Sequence, residues 1–129
     1  MSDNKEYVSR SEELGNIHIS EEVLAAIAAA AALEVEGVNS LAANLGSDIA
    51  SLLGKKNLAK GVRVKMEDDR VEVELSILMG YGHTIPEVGK AIQEGVKNAV
   101  ESMTGLEVAA VNVNVGGIAF DTKEKEKEQ

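Results

Sequence analysis

The side chains of this sequence that could move a proton are two histidines, His18 and His83, and two glutamates two positions apart, Glu72 and Glu74. Those that could hold an anion or an acidic partner are Lys55, Lys56 and Lys60, the one concentration of basic residues in the chain. Neither histidine has a partner at ligand spacing, and a metal would have to take its remaining ligands from scattered carboxylates, so both read as structural residues. His83 lies just before a helix start, where a cation is disfavoured and a neutral turn residue or a contact to an anion is suited. There are no cysteines, so thiol nucleophiles, disulfides and Cys-rich metal sites are absent together. No serine or threonine sits in an elbow motif, and Val115-Gly116-Gly117 follows a strand but opens no helix, unlike a phosphate-binding loop. Paired carboxylates are the remaining catalytic pattern, and its meaning depends on what stands opposite Glu72 and Glu74.

That question is answered by the segment that carries them, Gly61 to Gly82, which reads as a β-hairpin. Val62, Val64 and Met66 alternate with Arg63, Lys65 and Glu67; after Asp68-Asp69, Val71, Val73, Leu75 and Ile77 alternate with Glu72, Glu74 and Ser76. With the two aspartates as the turn, Met66 faces Val71, Lys65 faces Glu72, Val64 faces Val73, Arg63 faces Glu74 and Val62 faces Leu75. A slip of one residue would put valines opposite glutamates, so the register is well specified. The two glutamates then lie beside cations, which favour their charged form, whereas general acid work requires a carboxyl that holds its proton. One face of the hairpin is apolar and calls for a helical layer; the other is charged and stays open.

The rest of the chain supplies that layer. Residues 1–14 are polar without periodicity and read as a disordered arm. Ile17 and Ile19 form a short lead-in, Ser20 is an N-cap, and an alanine-rich helix from Glu21 to about Glu36 presents Val23, Ile27, Ala30 and Ala31, stopped by Gly37. Val38 to Leu41 is a candidate short strand, and residues 47–53 could form two helical turns. Thr84-Ile85-Pro86-Glu87 has the form of a capping box, and Ile85, Val88, Ile92, Val96, Ala99 and Met103 repeat at helical spacing up to Gly105. Leu106 to Val115 is a last strand, broken by Gly116-Gly117, and residues 121–129 are a disordered charged tail.

At 129 residues the chain is one domain, and its net charge of −9 argues against a nucleic-acid backbone as partner. The N-terminus has no apolar region of a signal peptide, and the longest apolar run, Val23 to Leu33, falls well short of the roughly 20 residues a bilayer requires. A cytoplasmic protein is expected, reaching a membrane only through a partner.

Several short segments, in order, carry a family resemblance: Gly15-Asn-Ile-His-Ile19, the alanine helix ending Glu34-Val-Glu-Gly37-Val38, Gly61-Val-Arg-Val64, Tyr81-Gly82 before Ile85-Pro-Glu-Val88, Met103-Thr-Gly105-Leu106 and Val111-Asn-Val-Asn-Val115. Over about Gly15 to Phe120 the chain resembles the alkaline shock protein family of Gram-positive bacteria. The resemblance implies a small protein without known catalytic activity, no cofactor, and one of two settings. One is envelope stress, with the protein held by a membrane anchor protein; the other is a branch associated with acetyl-CoA carboxylase and fatty-acid synthesis, which Asn44 to Ile49 and Gly54 to Asn57 resemble more.

The expected fold is therefore α+β and two-layered, a small mixed sheet of the hairpin and the C-terminal strand with two long helices on one face, within a domain at 15–120. The expected function is non-enzymatic protein–protein interaction. The candidate surfaces are the open sheet face, with Arg63, Lys65, Glu72, Glu74, Asn112 and Asn114, and the Lys55, Lys56, Lys60 loop, with homo-oligomerisation through strand edges a further route. The competing class is a small-molecule or nucleic-acid binding module on the same open face, an inference from fold analogy alone.

Overall fold

The structure is a computed structural model that describes residues 7–42, 61–68 and 70–120. Its elements are β1 (Tyr7–Glu12), β2 (Gly15–Ser20), α1 (Glu21–Leu33), β3 (Val38–Leu41), β4 (Val62–Glu67), β5 (Arg70–Gly80), α2 (Ile85–Thr104) and β6 (Glu107–Ala119). The fold is α+β, with both helices on one face of a mixed four-stranded sheet.

β5 is the strand to which the others attach, because its alternation is the longest and most apolar. Val71, Val73, Leu75, Ile77 and Met79 are all buried, and each such side chain contributes roughly 1.5–3 kcal/mol on leaving water. β4 pairs with it antiparallel in the register expected from charge matching, from Glu67 opposite Arg70 to Val62 opposite Leu75. The turn between them puts Asp68 at φ 50°, a left-handed conformation that aspartate tolerates better than most residues. β6 runs parallel to β5 along the other edge.

β3 occupies the remainder of the edge that β4 uses, pairing with Ile77 to Met79. The two meet at one residue: Ala42 N donates to Ser76 O at 2.8 Å, and Ser76 N donates to Gly61 O at 2.9 Å. β3 and β4 are thus two halves of one edge strand, with residues 43–60 connecting them.

The helices close the apolar face. From α1 come Leu24, Ala28 and Ala32; from α2 come Val88, Ile92, Val96 and Val100; Leu106, Val108 and Val111 complete the cluster. Ser20 caps α1 as expected, its hydroxyl accepting from Val23 N at 3.2 Å. Gly105, at φ 78°, ends α2 in the left-handed conformation that lets a helix stop.

Four expectations are corrected. Tyr7–Glu12, expected within the arm, forms β1, which pairs antiparallel with β2 from Tyr7 opposite Ser20 to Glu12 opposite Gly15. Its strand is set by pairing across a two-residue turn, which a search for apolar alternation does not register. α1 ends at Leu33 and buries the Leu24, Ala28, Ala32 side, leaving Val23 exposed, because in a run of alanines the packed face is chosen by where the small residues let the sheet approach. Toward the end of α2 the inward positions are Val100 and Thr104 in place of Ala99 and Met103; Met103 is 69% exposed, and Thr84 makes no side-chain capping bond. β6 passes through Gly116 instead of breaking there: Val115 pairs with Ile77 and Gly117 with Leu78, so Gly116 is the extra residue of a bulge. The expectations for 1–6, 47–53 and 121–129 fall outside the described residues.

Candidate interaction face

The outer face of the sheet is built by the same alternation that fills the core. With Val71, Val73 and Leu75 pointing at the helices, Glu72, Glu74 and Ser76 must point away, and β4 and β6 bring Arg63, Lys65, Asn112 and Asn114 alongside. Across three strands this places Arg63, Glu74 and Asn112 in one row and Lys65, Glu72 and Ala110 in the next. Arg63, Lys65, Glu72, Glu74 and Asn112, with Val64, line a shallow open depression. The sequence-derived set is therefore brought together as one surface. Lys55, Lys56 and Lys60 lie outside the described residues.

Contacts on this face are polar and exposed. Lys65 Nζ stands 3.8 Å from Glu72 Oε1, and Arg70 Nε stands 3.8 Å from Glu107 Oε2. Glu74 accepts a hydrogen bond from Asn114 Nδ2 at 3.0 Å, and the same amide lies 3.4 Å from Ser76 Oγ. The partner of Glu74 is thus an amide on β6 rather than the guanidinium opposite it on β4. Exposed pairs of this kind contribute little, about 0–1 kcal/mol each, so the face is organised by backbone register and not by its ion pairs.

Other groups are placed away from this face. His18 is exposed on β2. His83 is exposed in the turn before α2, its ring close to Gly37 and Gly80. Among the described residues no group of three or more His, Asp or Glu side chains is arranged to hold a metal ion, and no helix is long and apolar enough to cross a membrane.

Two features were not legible as a site in the sequence. Tyr81, just past β5, and Phe120, just past β6, stack with ring centroids 4.9 Å apart, and both are largely exposed. They are joined by the end of the parallel ladder, where Tyr81 N donates to Ala119 O at 3.0 Å. Only the parallel pairing of β5 and β6, 39 positions apart in sequence at this point, brings them together. The second feature is a pair of side chains that reach from α2 to the backbone of β6. Gln93 Nε2 donates to Val111 O at 3.0 Å, and Glu101 Oε2 accepts from Val108 N at 2.9 Å while taking a second bond from Lys97 Nζ at 3.0 Å. The backbone donor, then the lysine, hold the Glu101 carboxyl below its ordinary range.

The family profile and the curated relatives agree with one another. A family profile described as the alkaline shock protein 23 family, with a cell envelope-related function, matches residues 9–120. The Bacillus subtilis (strain 168) protein YqhY is 35% identical over 113 residues, covering 88% of this chain and 84% of that protein. Spy1614 of Streptococcus pyogenes serotype M6 is 42% identical over 106 residues, 81% of this chain and 88% of the relative, and YloU of Bacillus subtilis is 34% identical with the same coverage. On the breadth of that match, the chain belongs to the alkaline shock protein family, whose function is related to the cell envelope.

Proposed function

We propose that this protein is a non-enzymatic accessory protein that binds another protein through the open face of its sheet, in the service of the cell envelope. The observation that supports this reading is the surface of Arg63, Lys65, Glu72, Glu74, Asn112 and Asn114. It is a row-ordered, solvent-facing set of donors and acceptors of both signs, on a rigid sheet, with the carboxylates engaged by neighbouring side chains. Such a face is suited to electrostatic matching with a partner, which sets specificity and encounter rate more than raw affinity. The Lys55, Lys56, Lys60 segment is a second contact in this reading.

Two partner classes are consistent with the family: a membrane anchor protein, which would bring to the envelope a chain whose described residues form no spanning helix, and a subunit of acetyl-CoA carboxylase, which would place it in the supply of lipid precursors. Affinity purification of the native protein from its own cells discriminates between them. The decisive control is a variant with Arg63→Glu, Lys65→Glu, Glu72→Lys and Glu74→Lys, which inverts the face while keeping opposite charges across from one another on β4 and β5. Loss of the recovered partner supports the proposal; a variant that retains every partner removes the open face from consideration. A charge-reversed Lys55, Lys56, Lys60 variant tests the second contact in the same way.

A further inference from the structure

β6 is an edge strand whose outer side is only half guarded. It pairs with β5 alone, so among the described residues no strand lies beyond it. The backbone groups that point away from β5 can be identified from the α2 contacts. Val108 N and Val111 O are both taken by α2 side chains, so both residues turn their polar groups outward. They are three apart and share a phase because Ala109 is the extra residue of the first bulge, between Val71–Val108 and Glu72–Ala110. By alternation Val113 and Val115 point outward as well. After the second bulge Ile118 does, since Ala119 O points back to accept from Tyr81 N.

The guard is a single row on α2. Residues four apart on a helix stack along one side, and Glu101, Lys97, Gln93, Gly89 and Ile85 form such a row. Glu101 and Gln93 cap the first half of the edge. The next position of the row is Gly89, which one further helical turn of about 5.4 Å carries past Gln93 in the direction of Val113, and a Cβ there would meet nothing within 4 Å. A glycine inside a helix is disfavoured by about 1 kcal/mol relative to alanine, and no internal packing requires this one. Beyond it stands Ile85, 49% exposed, and along the strand Ile118, 39% exposed.

We propose that the Val113–Ile118 edge of β6 accepts an extended segment of a partner protein as an added strand, with Gly89 giving the clearance for its side chains. The backbone groups of Val113, Val115 and Ile118, which the α2 row does not reach with side chains, can be matched in succession by another backbone in extended form. Ile85 and Ile118 select apolar side chains at alternate positions. The chain's net charge of −9 favours a basic or neutral segment over a second acidic copy of itself. The inference rests on the protein's being a binding module but concerns a surface distinct from the open face.

The test is an NMR titration of the ¹⁵N-labelled full chain with a synthetic peptide in which valine and threonine alternate between terminal lysines. The amides of Val113, Val115 and Ile118 should shift and exchange with solvent at least tenfold more slowly. The same peptide N-methylated at alternate residues should not bind. Gly89→Gln continues the guarding row, so it should raise the urea midpoint and weaken peptide binding at least tenfold, a combination that misfolding cannot produce. Edge amides that stay unmoved at millimolar peptide, or a Gly89→Gln variant that binds as well as the parent, would overturn the proposal. So would the same shifts on raising protein concentration alone, which would assign the edge to a second copy. Because the readout is at the edge amides, its failure leaves the open-face reading standing, and loss of that reading leaves this one measurable.

Discussion

Gly37 is the position where the structure makes the sharpest demand on one residue. It lies at φ +104° in the turn between α1 and β3, and an alanine there would hold its Cβ 2.7 Å from Val88 Cγ2 and 3.2 Å from His83 Cγ. Non-bonded carbons settle at about 3.5–4.0 Å, so the valine contact is short by about 1 Å. Val88 is buried on α2 and cannot retreat without disturbing the core, whereas the exposed His83 ring can turn away. The backbone conformation costs a non-glycine residue about 1–2 kcal/mol, and overpacking adds about 1–3 kcal/mol. Against these, alanine restricts the unfolded chain, which returns about 0.4–1 kcal/mol. Gly37→Ala should therefore destabilise by about 1–4.6 kcal/mol, a large part of a typical domain stability of about 5–15 kcal/mol. Urea unfolding measures it, with an unchanged slope showing that the loss is in the native state. The location of the clash is tested by a double-mutant cycle with Val88→Ala: the pair should be less destabilised than the sum by at least about 1 kcal/mol, while a cycle with His83→Ala should be close to additive. Gly89→Ala, whose Cβ meets nothing, should stabilise by about 0.5–1 kcal/mol. A Gly37→Ala loss below about 1 kcal/mol, or additivity with Val88→Ala within about 0.5 kcal/mol, would refute the reasoning.

Ile92→Ala empties a fully buried position between α2 and the sheet and should lower stability by about 2–5 kcal/mol in the same urea experiment. Thr104 Oγ1 donates to Val100 O at 2.7 Å and accepts from Leu106 N at 3.1 Å, so Thr104→Val leaves a buried N–H without its acceptor and should cost about 1–3 kcal/mol. The Glu101 carboxyl titrates below its unfolded value of 4.5, so its contribution is fully present above that pH and is lost as pH falls through the lower folded value. The stability gap between the parent and Glu101→Gln should accordingly narrow from pH 7 to pH 3, and a gap that widens on acidification would contradict the assignment.

The β4–β5 hairpin was legible in the sequence because two independent signals, apolar alternation and cross-strand charge, require the same register. Pairing set by only one signal was harder to read. β1 carries its apolar residues side by side, at Tyr7 and Val8, and takes its order from β2. α1 offered several nearly equivalent faces because alanine differs little from alanine. The outer-face residues were found by following alternation outward from the core. Neither the Gln93 and Glu101 contacts to β6 nor the Tyr81–Phe120 stack could be found that way. They depend on β6 running parallel to β5, and bulges at Ala109 and Gly116 shift its phase twice, which apolar spacing alone does not announce.

The junction at Ser76 has a consequence for how the protein can be altered. The chain leaves the sheet at Ala42 and returns at Gly61, both bonded to the backbone of the same residue, with Gly61 so close that a Cβ there would lie 3.1 Å from Ala42 O. The gap that residues 43–60 must close is therefore the width of a single ladder step, whatever the length of the connection. Lengthening a flexible closure costs only about 0.6 kcal/mol per doubling. The fold consequently behaves as a socket with a port at this point: a reporter, an affinity tag or a foreign recognition loop could be grafted between Ala42 and Gly61 while β3 and β4 keep their places along β5.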